Sequence, residues 1–387
     1  MNLTDLCEVF TDGDWIESKD QSKDGIRLIQ TGNIGIGQFI EKDDKAKYIS
    51  IETFERLKCT EVFEGDILVS RLPDPIGRAC IVPNKTERMI TAVDCTICRP
   101  KADIIDREYL CYFMQSKTYY ERLFNNVTGT TRKRISRKNL GNVEIYVPSK
   151  EEQKIIVKKL NLLTKIISNR TKELSYLDNL IKARFVEMFG SLNNTSYKTL
   201  PLGDVCEFIK DGTHQTPTYT EDKVRGFKFL SSKDVTSQKI SWSNIKYIPE
   251  SLHNELYSKL APKRGDILLA KNGTTGVAAV VDTDEVFDIY VSLALLRPKL
   301  GYNSQYLWAV INSNDTKMQF NANLKGIGVP NLHLGEIKKA KVIVPPLEQQ
   351  TKFADFLEQI DKSKVAVQKS LEETQLLFDK LMQEYFG

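Results

Sequence analysis

One ten-residue segment concentrates cations. Gly129-Thr130-Thr131-Arg132-Lys133-Arg134-Ile135-Ser136-Arg137-Lys138 carries five of them, inside a stretch from Arg122 to Val143 that has no acidic residue. Arginine and lysine beside glycine and small hydroxylated residues suit close approach to phosphates, and arginine can read guanine bidentately. The residues assigned to that contact are Thr130, Thr131, Arg132, Lys133, Arg134 and Arg137; the plain alternative is a solvated turn. In the second half of the chain the matching segment is Gly326-Ile327-Gly328-Val329-Pro330-Asn331-Leu332-His333, preceded by Lys325. It keeps the glycine and loses most of the charge, leaving Lys325, Asn331 and His333 as its contact residues. A second pair of loops follows two Gly-Asp-Ile-Leu runs: Ser70-Arg71-Leu72-Pro73-Asp74-Pro75-Ile76-Gly77 and Ala270-Lys271-Asn272-Gly273-Thr274-Thr275-Gly276. Arg71, Lys271, Asn272 and Thr274 are expected to touch bases or phosphates there, asparagine being suited to adenine; a polar hairpin tip is the alternative.

Catalytic tools are missing. The three histidines, His214, His253 and His333, all lie in the second half, which excludes a catalytic histidine shared by both halves. There is no G-x-x-x-x-G-K-[ST] phosphate loop, and Gly32-Asn33-Ile34-Gly35-Ile36-Gly37 reads as a turn, not as a G-x-G-x-x-G opening a helix. The one Pro-Pro, in Val344-Pro345-Pro346-Leu347, lacks the neighbours of an amino-methyltransferase base-holding loop. Asp66, Asp74 and Glu87 are a weak nuclease set with no suitable lysine nearby. Cys95-Thr96-Ile97-Cys98 is a lone C-x-x-C and reads as a strand, because a structural zinc normally needs four ligands.

The elements that hold these loops come in duplicate. Leu3-Thr4-Asp5-Leu6-Cys7-Glu8 recurs as Leu202-Gly203-Asp204-Val205-Cys206-Glu207, and Asp12-Gly13 as Asp211-Gly212. Lys47-Tyr48-Ile49 returns as Lys246-Tyr247-Ile248, Gly65-Asp66-Ile67-Leu68 as Gly265-Asp266-Ile267-Leu268, and Arg99-Pro100 as Arg297-Pro298. Val147-Pro148 and Phe189-Gly190 match Val344-Pro345 and Phe386-Gly387. Collinear pairs with a slowly drifting offset mark a duplication of one unit of roughly 190–200 residues. Each unit opens with about 145 residues of short β-rich runs and a few helical stretches, such as Tyr109 to Phe124, an α+β pattern.

A long helix closes each unit. Apolar residues fall at Ile156, Leu160, Leu163, Ile167, Leu174, Leu177, Ile181 and Met188, with Arg170 and Arg184 filling gaps. The second series is Phe353, Leu357, Ile360, Val367, Leu371, Phe378, Leu381 and Tyr385, interrupted by Lys364 and Thr374. Alternating intervals of four and three form a heptad seam. Ser149-Lys150-Glu151-Glu152 is a capping box at the first start, and Pro345-Pro346 suits the second. At 1.5 Å per residue, about 38 residues span roughly 57 Å. Narrow seams favour packing of the two helices on each other over packing of each on its own domain. The expected division is a first globular domain at 1–148, a helix at 149–190, a polar linker at 191–198, a second domain at 199–345 and a second helix at 346–387.

The formal charge is only +4, with 41% apolar and 27% charged residues. Bulk charge therefore does not announce nucleic acid, and a basic site must be local. No apolar run suits a membrane span, the first residues lack a signal peptide's pattern, and seven scattered cysteines read as reduced thiols in a cytoplasm.

The Gly-Asp-Ile-Leu strand with its glycine-containing loop, the Val-Pro-Pro-Leu-Glu-Gln-Gln helix start and the heptad helix ending Phe-Gly resemble the specificity subunits of Type I restriction–modification systems, across essentially the whole chain. The resemblance implies two target-recognition domains, each reading half of a split double-stranded DNA site, joined by two long antiparallel coiled-coil helices that act as a ruler. It implies two modification subunits that bind S-adenosylmethionine and methylate adenine, and restriction subunits with ATP-driven translocase and nuclease activity. The chain itself would hold no cofactor or metal and catalyse nothing. Two departures stand out. The first half begins almost at its first strand, so a segment ahead of it is expected to be short or absent. The first helix starts Val-Pro-Ser-Lys-Glu-Glu-Gln instead.

Overall fold

The computed structural model describes residues 1–125, 133–324 and 331–387. It contains two compact units, one made of Met1–Thr171 with Lys369–Gly387, the other of Lys172–Gln368.

In the first unit a four-stranded antiparallel sheet runs in the order Cys7–Asp12, Cys95–Pro100, Ile67–Ser70, Ala79–Ile81. Its central strand has no polar face: Ile67, Leu68, Val69 and Ser70 are all buried. The pleat explains this, because alternate side chains enter different cores. Ile67 and Val69 pack with Tyr109, Phe113 and Tyr119 on the helical side. Leu68 packs with Ile29, Val62 and Met89, which belong to a second sheet in the order Lys47–Ile49, Ile26–Ile29, Met89–Thr91, Glu61–Val62.

The second unit repeats the plan. Its main sheet is Cys206–Asp211, Leu293–Pro298, Ile267–Ala270, Ala278–Val280. Ile267 and Leu269 face one core, and Leu268 and Ala270 the other. A second sheet holds Lys246–Ile248, Phe227–Leu230 and Phe287–Ile289, and Lys198–Pro201 pairs with Lys341–Val344. In the first unit a single bridge, Asn2 to Glu144, holds the corresponding place.

Two recurring motifs turn out to be one interaction. Gly65 and Gly265 adopt φ of +85° and +88°, a region that favours glycine, and each turns the chain into a buried aspartate. Asp66 takes both nitrogens of Arg99 at 2.8 Å; Asp266 takes those of Arg297 at 2.8 and 2.7 Å. The Gly-Asp and Arg-Pro pairs of the repeat are thus the two ends of a bidentate clamp between neighbouring strands.

Helical expectations were met with one change. Residues Tyr109 to Phe124 do not form one helix but two, Arg107–Phe113 and Lys117–Phe124. The side chain of Ser116 caps the second one by accepting from the Tyr119 amide at 3.1 Å. The long helices are Lys150–Phe189 and Leu347–Phe386, 40 residues each. Ser149 and Glu152 bond reciprocally through backbone amides at 3.0 and 3.3 Å, the capping box. Gly190, at φ +76°, ends the first helix. Gln153 and Gln350, both buried, are the polar hubs of the helix starts. Gln153 accepts from the Asp106 amide at 2.7 Å and donates to the Pro148 carbonyl at 2.9 Å; Gln350 does the same with Asn303 and Pro345 at 2.9 and 2.8 Å.

The sequence set a helix–helix seam against packing on the domain, and both occur. In the first unit Val157 and Leu160 share a core with Met382 and Phe386, and Phe386 packs on Tyr109 at 5.1 Å between ring centroids. In the second, Phe185 and Phe189 meet Phe353 at 5.6 and 5.4 Å, and all three lie in the domain core. The helices are antiparallel in both units: Lys159 donates to the Tyr385 hydroxyl, and Lys364 pairs with Asp178. Leu160, Leu163, Phe353, Leu357, Ile360 and Val367 are buried, while Ile156, Ile167, Leu174, Leu177, Ile181, Leu371 and Phe378 are half-buried. Arg170, Arg184, Lys364 and Thr374 are half-buried in the same frame.

Candidate nucleic-acid interface

In each unit three segments that are distant in sequence meet at one tight turn between the two sheets. In the first unit the turn is residues 92–95, leading from the strand Met89–Thr91 of one sheet to Cys95–Pro100 of the other. The Gly13 amide donates to the Cys95 carbonyl at 2.8 Å and the Asp14 amide to Thr91 at 2.8 Å. From the loop after Ile67–Ser70, the Arg71 amide donates to Asp94 at 2.9 Å, and the Ile135 amide then donates to the Arg71 carbonyl at 3.3 Å. That last bond attaches the basic segment.

The second unit builds the same junction at residues 290–293. The Gly212 and Thr213 amides donate to Leu293 and Ile289 at 3.2 and 3.0 Å, Lys271 donates to Ser292 at 2.8 Å, and Leu332 donates to the Lys271 carbonyl at 3.0 Å. Asn272 and Asn331 bridge across. A Cβ on Gly13 or Gly212 would sit 2.2 Å from a carbonyl oxygen, that of Thr91 or Ile289. Close backbone approach therefore fixes the Asp-Gly pair in both repeats.

Arg71 and Lys271 differ from their expected role. Both are buried, at 4% and 5% exposure, and both side chains are engaged inside the protein. Arg71 pairs with Asp12 at 3.2 Å and donates to the Val93 carbonyl at 2.6 Å; Thr96 donates to the far oxygen of Asp12 at 2.9 Å. Lys271 pairs with Asp211. Burial pulls the Arg71 guanidinium below its usual pKa, and Arg134 and Arg137 act in the same direction, while Asp12 and Asp94 oppose them. A cation in that position is consumed by the protein's own carboxylate and carbonyls.

The remaining assigned residues that the structure describes are distributed around these junctions. Lys133 and Arg137 are exposed, and Arg137 reaches the Thr11 hydroxyl at 3.4 Å. Arg134, half-buried, pairs with Asp94 at 3.0 Å. In the second unit Thr274 and His333 are exposed, and Asn272 and Asn331 are half-buried. Thr130, Thr131, Arg132 and Lys325 lie outside the described residues.

Sequence reasoning noticed the Asp-Gly repeat but gave it no task. Asp12 and Asp211 are the anchors of the buried cations, and the signal was available: an aspartate and a cation that recur together at nearly the same offset. Trp15 and His214 occupy the same place after the two Asp-Gly turns. Trp15 is 70% exposed and the His214 side chain 75%. The two cysteines of the C-x-x-C lie in the strand Cys95–Pro100, both fully buried.

Comparison with known proteins bears on this arrangement. Residues 1–176 and 194–375 match the family described as the Type I restriction modification DNA specificity domain. The Type I restriction enzyme MjaVIII specificity subunit of Methanocaldococcus jannaschii is 26% identical over 301 residues, covering 73% of this chain and 70% of that protein. Two solved structures share the fold at 16% identity across 100% of this chain. One is a chain from work on complex assembly and conformational transition of the type I R-M system, with a TM-score of 0.59 and 96% of that chain covered. The other is the Type-I restriction-modification system S subunit from M. genitalium, with a TM-score of 0.58 and 95% covered.

Proposed function

The chain belongs to the Type I restriction modification DNA specificity family, and from that premise we propose that it reads a bipartite DNA site, one half with each repeat. It is the DNA-recognition specificity subunit of such a system, and the family supplies recognition, not catalysis. The observation that carries the reading is the junction built twice from the same backbone bonds, with different side chains displayed at its edge: Lys133, Arg134 and Arg137 in one unit, Asn272, Thr274, Asn331 and His333 in the other. A constant scaffold with divergent contact residues is what two readers of different sequences require.

On this reading residues 1–148 and 199–345 are the reading domains, and 149–190 and 346–387 form the spacer between half-sites. Arg71 and Lys271 hold the loops, and the surface residues around them contact DNA. Methyltransferase subunits dock on the chain. Two of them, binding S-adenosylmethionine, would methylate adenine, flipping the base into their own site. Restriction and translocase subunits using ATP would join through them, and this chain needs no cofactor of its own. No helix among the described residues is long and apolar enough to cross a membrane.

The test is co-expression with the host's candidate modification subunit, followed by methylation mapping. Adenine methylation at a two-part motif with a fixed gap is the expected result. A folded partner that binds S-adenosylmethionine yet yields neither complex nor motif would overturn the proposal.

A further inference from the structure

The first unit has a lysine-lined cavity, and the second unit keeps only part of that lining. A cavity of about 260 Å³ opens between the turn Gln30–Asn33 and the segment Lys42–Lys47, lined by Arg27, Gly32, Lys42, Lys45 and Lys47 among others, with no carboxylate in its wall. The segment reads Glu41-Lys42-Asp43-Asp44-Lys45-Ala46-Lys47, so the fold has sorted its charges. Arg27, buried, draws Asp43 to 2.9 Å and Glu87 to 2.8 Å, and Lys85 holds Glu41 at 2.8 Å. The three lysines are left to the cavity. Lys42, in left-handed backbone at φ 52°, sends its ammonium to within 2.8 Å of where a Cβ on Gly32 would lie.

The cradle is tied to the junction described above. The Ala92 amide donates to the Ile29 carbonyl at 2.9 Å, which joins the start of the Gln30–Asn33 turn to the turn at residues 92–95. Arg78 donates to Thr31 at 2.8 Å and Ile34 at 2.6 Å, and also to Leu72 at 3.0 Å, lashing the turn to the loop that follows Arg71. The volume falls below the ~300–1,000 Å³ of pockets for drug-sized ligands and suits a single phosphate group. In the second unit Ser241 and Asn244 stand where Lys42 and Lys45 do, and Lys246, the counterpart of Lys47, lies over the Tyr219 ring at 3.9 Å.

We propose that the cavity of Gly32, Lys42, Lys45 and Lys47 binds one backbone phosphate of the DNA at the first half-site, an anchor whose Lys42 and Lys45 are replaced by Ser241 and Asn244 in the second unit. The inference rests on the DNA-reading role above. Phosphate contacts fix register and carry no sequence information, so the cradle adds affinity and salt dependence, not specificity.

The experiment uses the complex with its modification subunits and a duplex bearing the mapped motif, titrated over a salt series. The triple variant Lys42→Gln, Lys45→Gln, Lys47→Gln alters only exposed side chains, and Gly32→Asp places a carboxylate in the cradle. Each should bind about tenfold more weakly at 0.1 M salt and flatten the log–log salt slope by about 0.9, the value of one phosphate. The methylated sequence should not change. Neutral methylphosphonates placed one at a time should identify a position, in the first half-site, that weakens the parent and leaves the variants unaffected. Unchanged slope and affinity in both variants would overturn the cradle. So would inorganic phosphate binding that the triple variant abolishes while the DNA slope stays intact, since that assigns the cavity to a free anion. A parent complex that methylates no two-part motif would instead sink the underlying role.

Discussion

Arg71 and Lys271 separate residue type from residue role. Each lies where a contact residue was expected, and each is turned inward by an aspartate about 60 residues earlier in the chain, Asp12 or Asp211. A cation past a strand and a recurring aspartate are both legible in sequence; that one captures the other is not, because only the sheet register, Thr11 against Ile97 and Asp12 against Thr96, brings the carboxylate there. Lys271→Met should therefore cost about 3 kcal/mol of stability, the penalty for stranding one partner of a buried pair, as read by urea unfolding. It should leave the salt slope of DNA binding unchanged. A slope reduced by about 0.9 would return Lys271 to the phosphates. The thiols make a second prediction. All seven cysteines are buried, and burial pushes Cys80, Cys95 and Cys206 up to about 12. Only about one part in ten thousand of such a thiol is ionised at pH 8, and the thiolate is the reactive form. Maleimide at that pH should label the native chain negligibly and the urea-unfolded chain fully; rapid native labelling would contradict the burial.

The elements were the most legible level. Heptad spacing gave both long helices, and the Ser149–Glu152 box marked one start, because both signals are local. The depth of burial along each helix was not legible. The seam residues near the middle, Leu174 and Leu371, are only half-buried, whereas Phe185, Phe189, Met382 and Phe386, at the ends, are buried in domain cores. Which part of a stripe goes deepest depends on what the other repeat presents to it, and that partner lies far away in the chain. Phe353→Ala, at 0% exposure against Phe185 and Phe189, should cost about 3–5 kcal/mol, and Leu371→Ala much less. Urea midpoints of the two variants that shift equally would contradict this ranking. Gly65 and Gly265 teach the same lesson at a turn: the repeat was visible, but its reason, a clamp on Arg99 and Arg297, needed the sheet.

For the whole molecule, the duplication was plain in sequence, and so was the antiparallel pairing of the two long helices. If the helices set the gap between half-sites, as proposed, one heptad inserted into each should lengthen it by about 10.5 Å, or about three base pairs. Methylation mapping should report a motif with the same halves and a gap longer by that amount; an unchanged gap would refute the spacer role. The core of the first unit offers a different consequence. Phe378, Met382 and Phe386 complete it, and their counterparts in the first repeat are Ile181, Phe185 and Phe189, which complete the other unit. A polypeptide ending at Gly190 would carry both a plug and the socket for it, and could not insert one into the other without a sister molecule. Two such halves should trade plugs and form a homodimer, visible by light scattering, whose target on the proposed role is a palindrome. If the chain reads a bipartite site, as proposed, fusing the two repeats frees each half of that site to change without the other.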